Sequence, residues 1–451
     1  MHKKKRVRSE LRFQPAQVLA VSFLVAIFVG TVLLMLPFSS QAGHMSLPDA
    51  LFTSASAVCV TGLIVQDTAT FFTPAGKVII LFLFQLGGLG IMTFSTLVLL
   101  VAGKRVSIQD RIIIQEGYQH SASSNVKTLI RDIFLYTLVF ESLGTFLFLL
   151  RWNREFSFGH AFLHSLFHAV SAFCNAGFSL FQNSFISYRG DILVNVTLMI
   201  LIVSGGLGFL VLQEMKLAFK SVIRKKKISI SLHSKLVLSL TLILIFFSGL
   251  VILVLEWNHS LQDFTGQEKV LSAFFQVITA RTAGFNTLDL NSLSSAAVLL
   301  IILLMFIGAS PGSTGGGIKT STVGVVTAFL RSRIQARESL NLFHRSIPAQ
   351  SITKAFTLVT LSVGIIFASA FILFLLQPGA EMKNVFFEVF SAFGTVGLSL
   401  GLTPELNDTS KVALTLTMYA GRIGPLTLLY AFSRAKALGR FEYAEETVMI
   451  G

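Results

Sequence analysis

The chain has 451 residues, of which 53% are hydrophobic and only 13% charged, against about 25% charged residues in an average soluble domain. This composition excludes an ordinary soluble protein and predicts an integral membrane protein. The net charge of +14 does not indicate nucleic-acid binding, because 26 of the 36 Lys and Arg residues fall in alternate loops between apolar runs.

Eight apolar runs are candidates to cross a bilayer, which takes roughly 20 residues. The third run contains one acid, Glu141, and the last contains one base, Arg422. The first run is too long for the apolar part of a signal peptide, and no small-residue cleavage site follows it. The runs cover residues 16–36, 78–102, 133–150, 192–212, 236–255, 292–309, 355–376 and 412–432.

The distribution of basic residues predicts the orientation. The loops on the opposite side of the eight runs hold only seven Lys and Arg residues. The basic side is therefore expected to be cytoplasmic, with both termini inside the cell membrane. Basic loops beside anionic headgroups of the lipid bilayer explain the net charge without nucleic acid.

A short apolar helix, predicted over residues 50–58, ends in the turn Val60-Thr61-Gly62, and this arrangement recurs three times. The four glycines lie 115, 107 and 113 residues apart, and each follows a phenylalanine by ten positions and a small residue by five. The other predicted short helices cover residues 161–173, 270–278 and 385–393. The other turns are Asn175-Ala176-Gly177, Thr282-Ala283-Gly284 and Thr395-Val396-Gly397.

The short helices are too short to span a bilayer, so each must enter and return on the same side. Non-helical backbone at membrane depth is tolerated only against protein or water, and the turns are therefore expected to face a shared cavity. The predicted fold is an all-α integral membrane protein with four pseudo-repeated helix–pore-loop–helix units around a central pore. The predicted repeats are 16–102, 128–213, 234–330 and 354–433, between cytoplasmic tails 1–15 and 434–451.

The second repeat carries His160, His164 and His168 on one face of its short helix. Histidines at this spacing can bind zinc, but no acid is placed beside them as a general base. The sequence favours polar contacts behind the turn. Cys59 and Cys174 each lie three residues before a turn glycine and are expected to be packing residues.

The third repeat has a second span interrupted by a loop at residues 308–317, which is rich in Gly, Ser and Thr and contains Pro311. Such a run cannot continue a helix. Its glycines and Lys319 suggest a phosphate-binding loop, but Ile318 interrupts that motif and no strand precedes it. The sequence favours an unwound intramembrane loop on the cytoplasmic side of the turns, which acts as a gate, over a passive kink.

The fourth repeat places Arg422 in the middle of its last span. A buried arginine is costly unless it faces a cavity or a partner. Gly421 follows Gly397 by 24 residues, as Gly308 follows Gly284, so Arg422 is expected at the depth of the broken loop. There it would oppose cation passage or pair with loop carbonyls.

The turns are suited to a bare cation, because backbone carbonyls can replace its water without adding fixed charge. Glycine permits the conformations, including φ > 0, that aim successive carbonyls at one axis. No turn carries an acid, which argues against a divalent filter. The fourth turn has the Thr-Val-Gly of a potassium-channel filter. The predicted K⁺ ligands are Val60, Thr61, Gly62, Asn175, Ala176, Gly177, Thr282, Ala283, Gly284, Thr395, Val396 and Gly397.

Together these motifs resemble the Trk/Ktr/HKT superfamily of potassium transporters, from about residue 15 to residue 440. The segments that carry the resemblance are residues 60–63, 279–286, 310–319 and 392–397. Among these families the chain looks most like the membrane subunit of bacterial Ktr systems, because it has eight spans without the additional N-terminal helices of longer Trk subunits.

The resemblance implies K⁺ uptake, often with Na⁺ stimulation, through one pore in each protomer of a homodimer. It implies a cytoplasmic ring of nucleotide-binding RCK-type regulatory subunits, and no nucleotide fold is found in this chain. Plant relatives with serine in the first turn favour Na⁺, so Gly62 supports K⁺. The resemblance assigns the gate to Gly312, Ser313, Thr314, Gly315, Gly316 and Gly317, with Arg422 as their partner.

Two other classes of function fit the sequence less well. An ion-coupled secondary transporter would bind solute at the midplane between broken helices, but the repeats run in parallel order and Glu141 stands alone in the spans. An intramembrane enzyme would need a nucleophile or metal acid beside the histidines, and none is evident. The sequence therefore predicts a transport protein and no enzyme.

Overall fold

The computed structural model describes residues 15–90, 126–225, 230–337, 339–432 and 446. The chain is helical through most of these residues. This is the expected response of long apolar segments to a bilayer, where backbone N–H and C=O groups must be satisfied within the protein. Nearly all of the two predicted tails, and the second half of the predicted span 78–102, lie outside the described residues.

Fifteen α-helices follow one another in the described residues, with three single-turn 3₁₀ helices at Ile186–Tyr188, Leu290–Ser292 and Thr403–Glu405. The α-helices are α1 (Pro15–Met35), α2 (Leu47–Val58), α3 (Pro74–Leu89), α4 (Val126–Trp152), α5 (Phe158–Cys174), α6 (Ile192–Leu207), α7 (Phe209–Ile223), α8 (Leu232–Glu256), α9 (Gly266–Thr279), α10 (Ser295–Phe306), α11 (Thr320–Ile334), α12 (Ala349–Leu376), α13 (Met382–Gly394), α14 (Asp408–Ile423) and α15 (Pro425–Phe432).

Four helices, α1, α4, α8 and α12, are each long and apolar enough to cross a membrane. Apolar side chains such as Phe28, Phe246 and Phe367 are exposed on their outer faces. Large exposed phenylalanines over a whole helix face are unfavourable in water and favourable against lipid. The shorter apolar helices α3 and α10 lie at two of the other predicted spans.

The two remaining predicted spans are bent. The chain turns by 105° between α6 and α7 and by 96° between α14 and α15. We expected continuous runs over residues 192–212 and 412–432, and the structure differs because Gly208 and Gly424 have φ of 91° and 92°, outside the helical region. Apolar composition continues across both glycines, so the pattern alone did not locate the bends.

The four short helices begin three or four residues before the predicted starts. Their N-terminal turns are polar and were not part of the apolar runs. The Ser46 hydroxyl accepts a hydrogen bond from the Asp49 backbone at the start of α2, and Thr265 and Glu268 form a capping box at the start of α9. These caps satisfy N–H groups that a helix start leaves unpaired.

A small β-hairpin lies in the basic loop between α11 and α12, with β1 (Asn341–Leu342) antiparallel to β2 (Arg345–Ser346). Its two turn residues, Phe343 and His344, have φ of 48° and 61°. We did not predict this hairpin, because its strands have two residues each and its turn lacks the glycine or asparagine typical of such turns.

Aromatic side chains fill the space between the short helices and the spans. The ring of Phe84 lies 5.4 Å from that of Phe167 and 6.0 Å from that of Phe178. The ring of Trp152 lies 5.3 Å from those of His168 and Phe181. Because rigid rings pack directly against the ends of the short helices, the turns that follow are held in place from behind.

Candidate ion pathway

The four predicted turns share one backbone conformation. In each turn the glycine has φ between 73° and 92°, and the residue two positions earlier has φ between 50° and 76°. The earlier residues are Val60, Asn175, Thr282 and Thr395, for which the left-handed region costs on the order of 1 kcal/mol. A strained pair that recurs four times must be imposed by the surrounding structure.

The turn glycines contact one another in a closed ring. A Cβ added at Gly62 would come within 2.5 Å of the Ala176 carbonyl oxygen in the second turn, and one at Gly177 within 2.8 Å of the Ala283 oxygen in the third. A Cβ at Gly284 would lie 2.5 Å from the Val396 oxygen in the fourth turn.

The ring closes at Gly397, where an added Cβ would collide with the Thr61 oxygen of the first turn. Each glycine therefore lies against the carbonyl of the next turn. A side chain at any of the four positions would push the turns apart, which is why glycine is required there.

The backbone N–H groups of the turns point away from this ring. The N–H of Thr61 donates to the Ser56 oxygen at 2.7 Å, and that of Ala176 donates to the Ser171 oxygen at 2.7 Å. The Val396 N–H makes the same bond to the Ser391 oxygen at 2.9 Å. With their donors satisfied by the short helices, the turns present carbonyl oxygens to the ring, the ligand type that a bare monovalent cation needs.

The span predicted for the third repeat is interrupted by a non-helical segment at residues 307–319, between α10 and α11, which we call the intramembrane loop after its predicted position. It is held against the second repeat by backbone hydrogen bonds from Ser310 to Gly206 (3.0 Å) and from Thr314 to Gly205 (3.2 Å). The Phe209 N–H donates to the Gly312 oxygen at 3.0 Å and so joins the first residue of α7 to the loop.

The same loop touches the third and fourth turns. The Gly316 N–H donates to the Thr395 hydroxyl at 3.0 Å. A Cβ added at Gly315 would collide with the Thr282 hydroxyl, so only glycine allows the loop to lie this close. The Thr314 hydroxyl donates to the Phe173 oxygen, 3.2 Å away, at the end of α5. The intramembrane loop therefore lies directly against three of the four short-helix ends or turns.

Two cationic side chains bind carbonyl oxygens of this loop. The Arg422 guanidinium donates to the Thr314 oxygen and to the Gly87 oxygen at the end of α3. The Lys319 ammonium donates to the Gly315 oxygen at 2.7 Å. We expected Arg422 at the depth of the loop, and the structure brings them into contact. Sequence reasoning missed Gly87 as a partner and considered Lys319 only as part of a phosphate loop.

Two acids lie near the turns, of which sequence reasoning noted Glu141 only as the lone acid of its span and missed Glu388. Glu141 of α4 accepts a hydrogen bond from Gln85 at 3.3 Å, and the Cys174 thiol donates to Gln85 at 3.1 Å, just before the second turn. Glu388 of α13 is fully buried and accepts a hydrogen bond from the Ser399 hydroxyl at 3.0 Å. Each acid interrupts an otherwise apolar run, and for Glu388 this was the signal overlooked.

The histidines of the second repeat do not converge on one point. His168 contacts the His164 carbonyl oxygen at 2.8 Å and the Ser179 hydroxyl at 3.1 Å, behind the second turn. Within the described residues, no group of three or more His, Cys, Asp or Glu side chains is placed to hold a metal ion. Cys59 and Cys174 are both buried, and neither forms a disulfide bond.

Known proteins are similar to this chain in sequence and in structure. The family model for TrkH, cation transport protein, matches residues 2–440. Ktr system potassium uptake protein B of Bacillus subtilis strain 168 is 38% identical over 450 residues, which cover 99% of each chain. Potassium/sodium uptake protein NtpJ of Enterococcus hirae is 35% identical over 457 residues and covers 99% of each chain.

The potassium transporter TrkH of Vibrio parahaemolyticus has a similar solved structure, with a TM-score of 0.71 at 20% sequence identity, over 95% of this chain and 87% of that chain. This likeness confirms the predicted helical fold class. Since the family model matches nearly the whole sequence and full-length relatives exceed one-third identity, the chain belongs to the TrkH family of cation transport proteins.

Proposed function

We propose that this chain is the ion-translocating membrane subunit of a bacterial Ktr-type K⁺ uptake system. The four glycine turns form its selectivity filter, and the twelve turn residues named above supply the K⁺ ligands. The intramembrane loop, at Gly312 to Gly317, is its gate, and Arg422 holds that gate closed. The relatives named for potassium uptake support the cargo.

The observation that carries the proposal is the closed ring of glycines and carbonyls. Four turns with the same positive-φ pair meet in the order first, second, third, fourth and first. A ring of backbone oxygens without an acid selects for a monovalent cation that can shed its water, and K⁺ sheds water more readily than Na⁺. The loop and its cations lie at the end of the turns where the short helices finish, so they are placed to close a path through the ring.

The proposed assembly rests on the resemblance to Ktr membrane subunits. The chain works as a homodimer in the cell membrane, with several spans, both termini in the cytoplasm, and a ring of nucleotide-binding RCK-type subunits against its cytoplasmic face. Na⁺ stimulates transport, in keeping with a potassium/sodium uptake protein among the relatives.

Uptake of K⁺ or radioactive rubidium by a transport-deficient bacterial strain tests the proposal. The chain should restore growth at low K⁺. Gly284→Ser and Gly397→Ser should each lower the preference for K⁺ over Na⁺ by about tenfold or more, because the new side chains collide with the Val396 and Thr61 oxygens.

The matched control is Gly364→Ser in α12, where an added Cβ meets nothing within 4 Å. This variant should transport normally. Rescue by both filter variants with an unchanged ion preference would contradict the filter assignment, and failure of the wild-type chain to take up K⁺ would contradict the proposed function itself.

A further inference from the structure

The residues that follow each glycine turn are hydrogen-bonded in one way after the second and fourth turns and in another way after the first and third. In the second and fourth turns a serine stands two positions after the glycine, at Ser179 and Ser399. Nine positions before the glycine stands a buried polar side chain, His168 or Glu388. We call each pair a polar bracket, because it joins the outgoing chain to the body of its short helix.

The fourth bracket has a defined hydrogen-bond geometry. The Ser399 hydroxyl donates to Glu388 Oε2 at 3.0 Å and accepts from the Gly401 N–H at 3.0 Å. Among the described residues, Glu388 Oε1 has no hydrogen-bond partner. Within the described residues, the hydrogen bond to Ser399 is therefore what joins this buried carboxyl group to the chain that leaves the turn.

The second bracket repeats the arrangement with a different group. His168 Nδ1 lies 2.8 Å from the His164 carbonyl oxygen, so that nitrogen must carry the proton. His168 Nε2 is then an acceptor, and it receives the Leu180 N–H at 3.1 Å and the Ser179 hydroxyl at 3.1 Å. The Ser179 oxygen in turn accepts from the Phe181 N–H at 3.0 Å, as Ser399 does from Gly401.

The first and third turns have no such pair. The corresponding residues of the first are Thr53 and Ile64, and the Thr53 hydroxyl has no hydrogen-bond partner among the described residues. In the third turn the Asn286 N–H donates to the Ser184 hydroxyl at 3.0 Å, so that quarter is held by the loop after the second turn. Because the turns meet in chain order around the ring, the two brackets lie opposite each other.

We propose that Glu388 and His168 are positioning residues for ion selectivity, which rests on the proposed function of the ring as a K⁺ filter. Each side chain holds the exit of its turn through a serine hydroxyl, His168 also through the Leu180 N–H, and the opposed pair keeps the carbonyl ring from widening. A carbonyl ring tells K⁺ from Na⁺ only while its oxygens are held in place, and groups behind the ligands set that position. Neither residue touches the ion.

The test measures the K⁺-over-Na⁺ preference of uptake in the transport-deficient strain carrying the full chain. Ser399→Ala and Glu388→Leu should each lower this preference about three- to tenfold, because both remove the hydrogen bond between the two side chains. The double variant should fall no further than the single ones. Glu388→Gln and Ser399→Thr keep a hydrogen-bonding group and should stay within about twofold of wild type.

The matched control is Thr53→Val, at the equivalent position of an unbracketed turn, and it should leave the preference unchanged. If Glu388→Leu does not reach the membrane, Ser399→Ala, which removes one hydroxyl, carries the test. An unchanged preference in Ser399→Ala would overturn the inference, and so would an equal loss in Thr53→Val or Glu388→Gln. If Gly397→Ser alters the preference and Ser399→Ala does not, the filter assignment is supported and the polar bracket is contradicted. If neither variant alters the preference, both assignments are contradicted.

Discussion

The Arg422 side chain links two distant segments of the chain. Its guanidinium binds a carbonyl oxygen of the intramembrane loop and another at the end of α3, which belong to different repeats. A lysine would not reproduce this arrangement, because its ammonium is a compact charge without the planar, fixed fork of donors of a guanidinium. Removing the guanidinium frees the loop from the first repeat.

We therefore expect Arg422→Ala to raise K⁺ flux by roughly ten- to a hundredfold, since charge-assisted hydrogen bonds of this kind are worth about 1.5–3 kcal/mol. Initial rates of K⁺ uptake measure the effect. Arg189→Ala is the control, because Arg189 pairs with Glu268 and not with the intramembrane loop. Unchanged flux in Arg422→Ala would mean that the arginine does not hold a closed state.

At the scale of elements, the intramembrane loop depends on its glycines for close approach. A Cβ added at Gly316 would collide with the Thr395 hydroxyl, which accepts a hydrogen bond from the Gly316 N–H. A methyl group there must push the loop away from the fourth turn. The glycines of this loop are thus explained by what they touch as well as by flexibility.

Gly316→Ala should accordingly raise K⁺ flux several-fold, because the displaced loop no longer closes the path. Gly364→Ala in α12 is the matched substitution, since nothing lies within 4 Å of its added Cβ, and its flux should equal that of wild type. A fall in flux on Gly316→Ala, with normal amounts of protein in the membrane, would show that the loop does not act as a barrier.

The short helices and turns were predictable because glycine, phenylalanine and a small residue recur at fixed offsets, and because glycine has few substitutes at positive φ. The contacts of the intramembrane loop could not be predicted from the sequence. Thr395 and Gly316 are 79 residues apart in the chain, and no local pattern announces that they meet. The bends at Gly208 and Gly424 were hidden for a different reason, since the apolar composition continues through them.

At the scale of the whole molecule, a single chain must bring its fourth repeat back to its first. This closure includes an ion pair between Lys411 of α14 and Asp49 of α2, at 2.7 Å, with both side chains largely buried. Lys411 also contacts Asp408 at 3.2 Å, but Asp408 is exposed. Breaking a buried pair is more costly than breaking an exposed one.

Asp49→Asn should therefore lower the melting temperature of the purified protein in detergent, with a loss of about 1–3 kcal/mol. Asp408→Asn should cost less than about 1 kcal/mol. Lys411→Gln combined with Asp49→Asn should destabilise less than the sum of the two changes, because both remove the same interaction. Additive effects would show that the pair does not couple the first and fourth repeats.

The bend at Gly208 has a mechanical consequence. Helix α7 leaves the span at 105° and its first N–H is bonded to Gly312 of the intramembrane loop. Because the first residue of α7 is hydrogen-bonded to the intramembrane loop at the bend, a movement of α7 would move Gly312 as well. A displacement of the far end of α7, where Lys216 and Lys220 lie, would therefore act on Gly312 directly and not through the carbonyl ring.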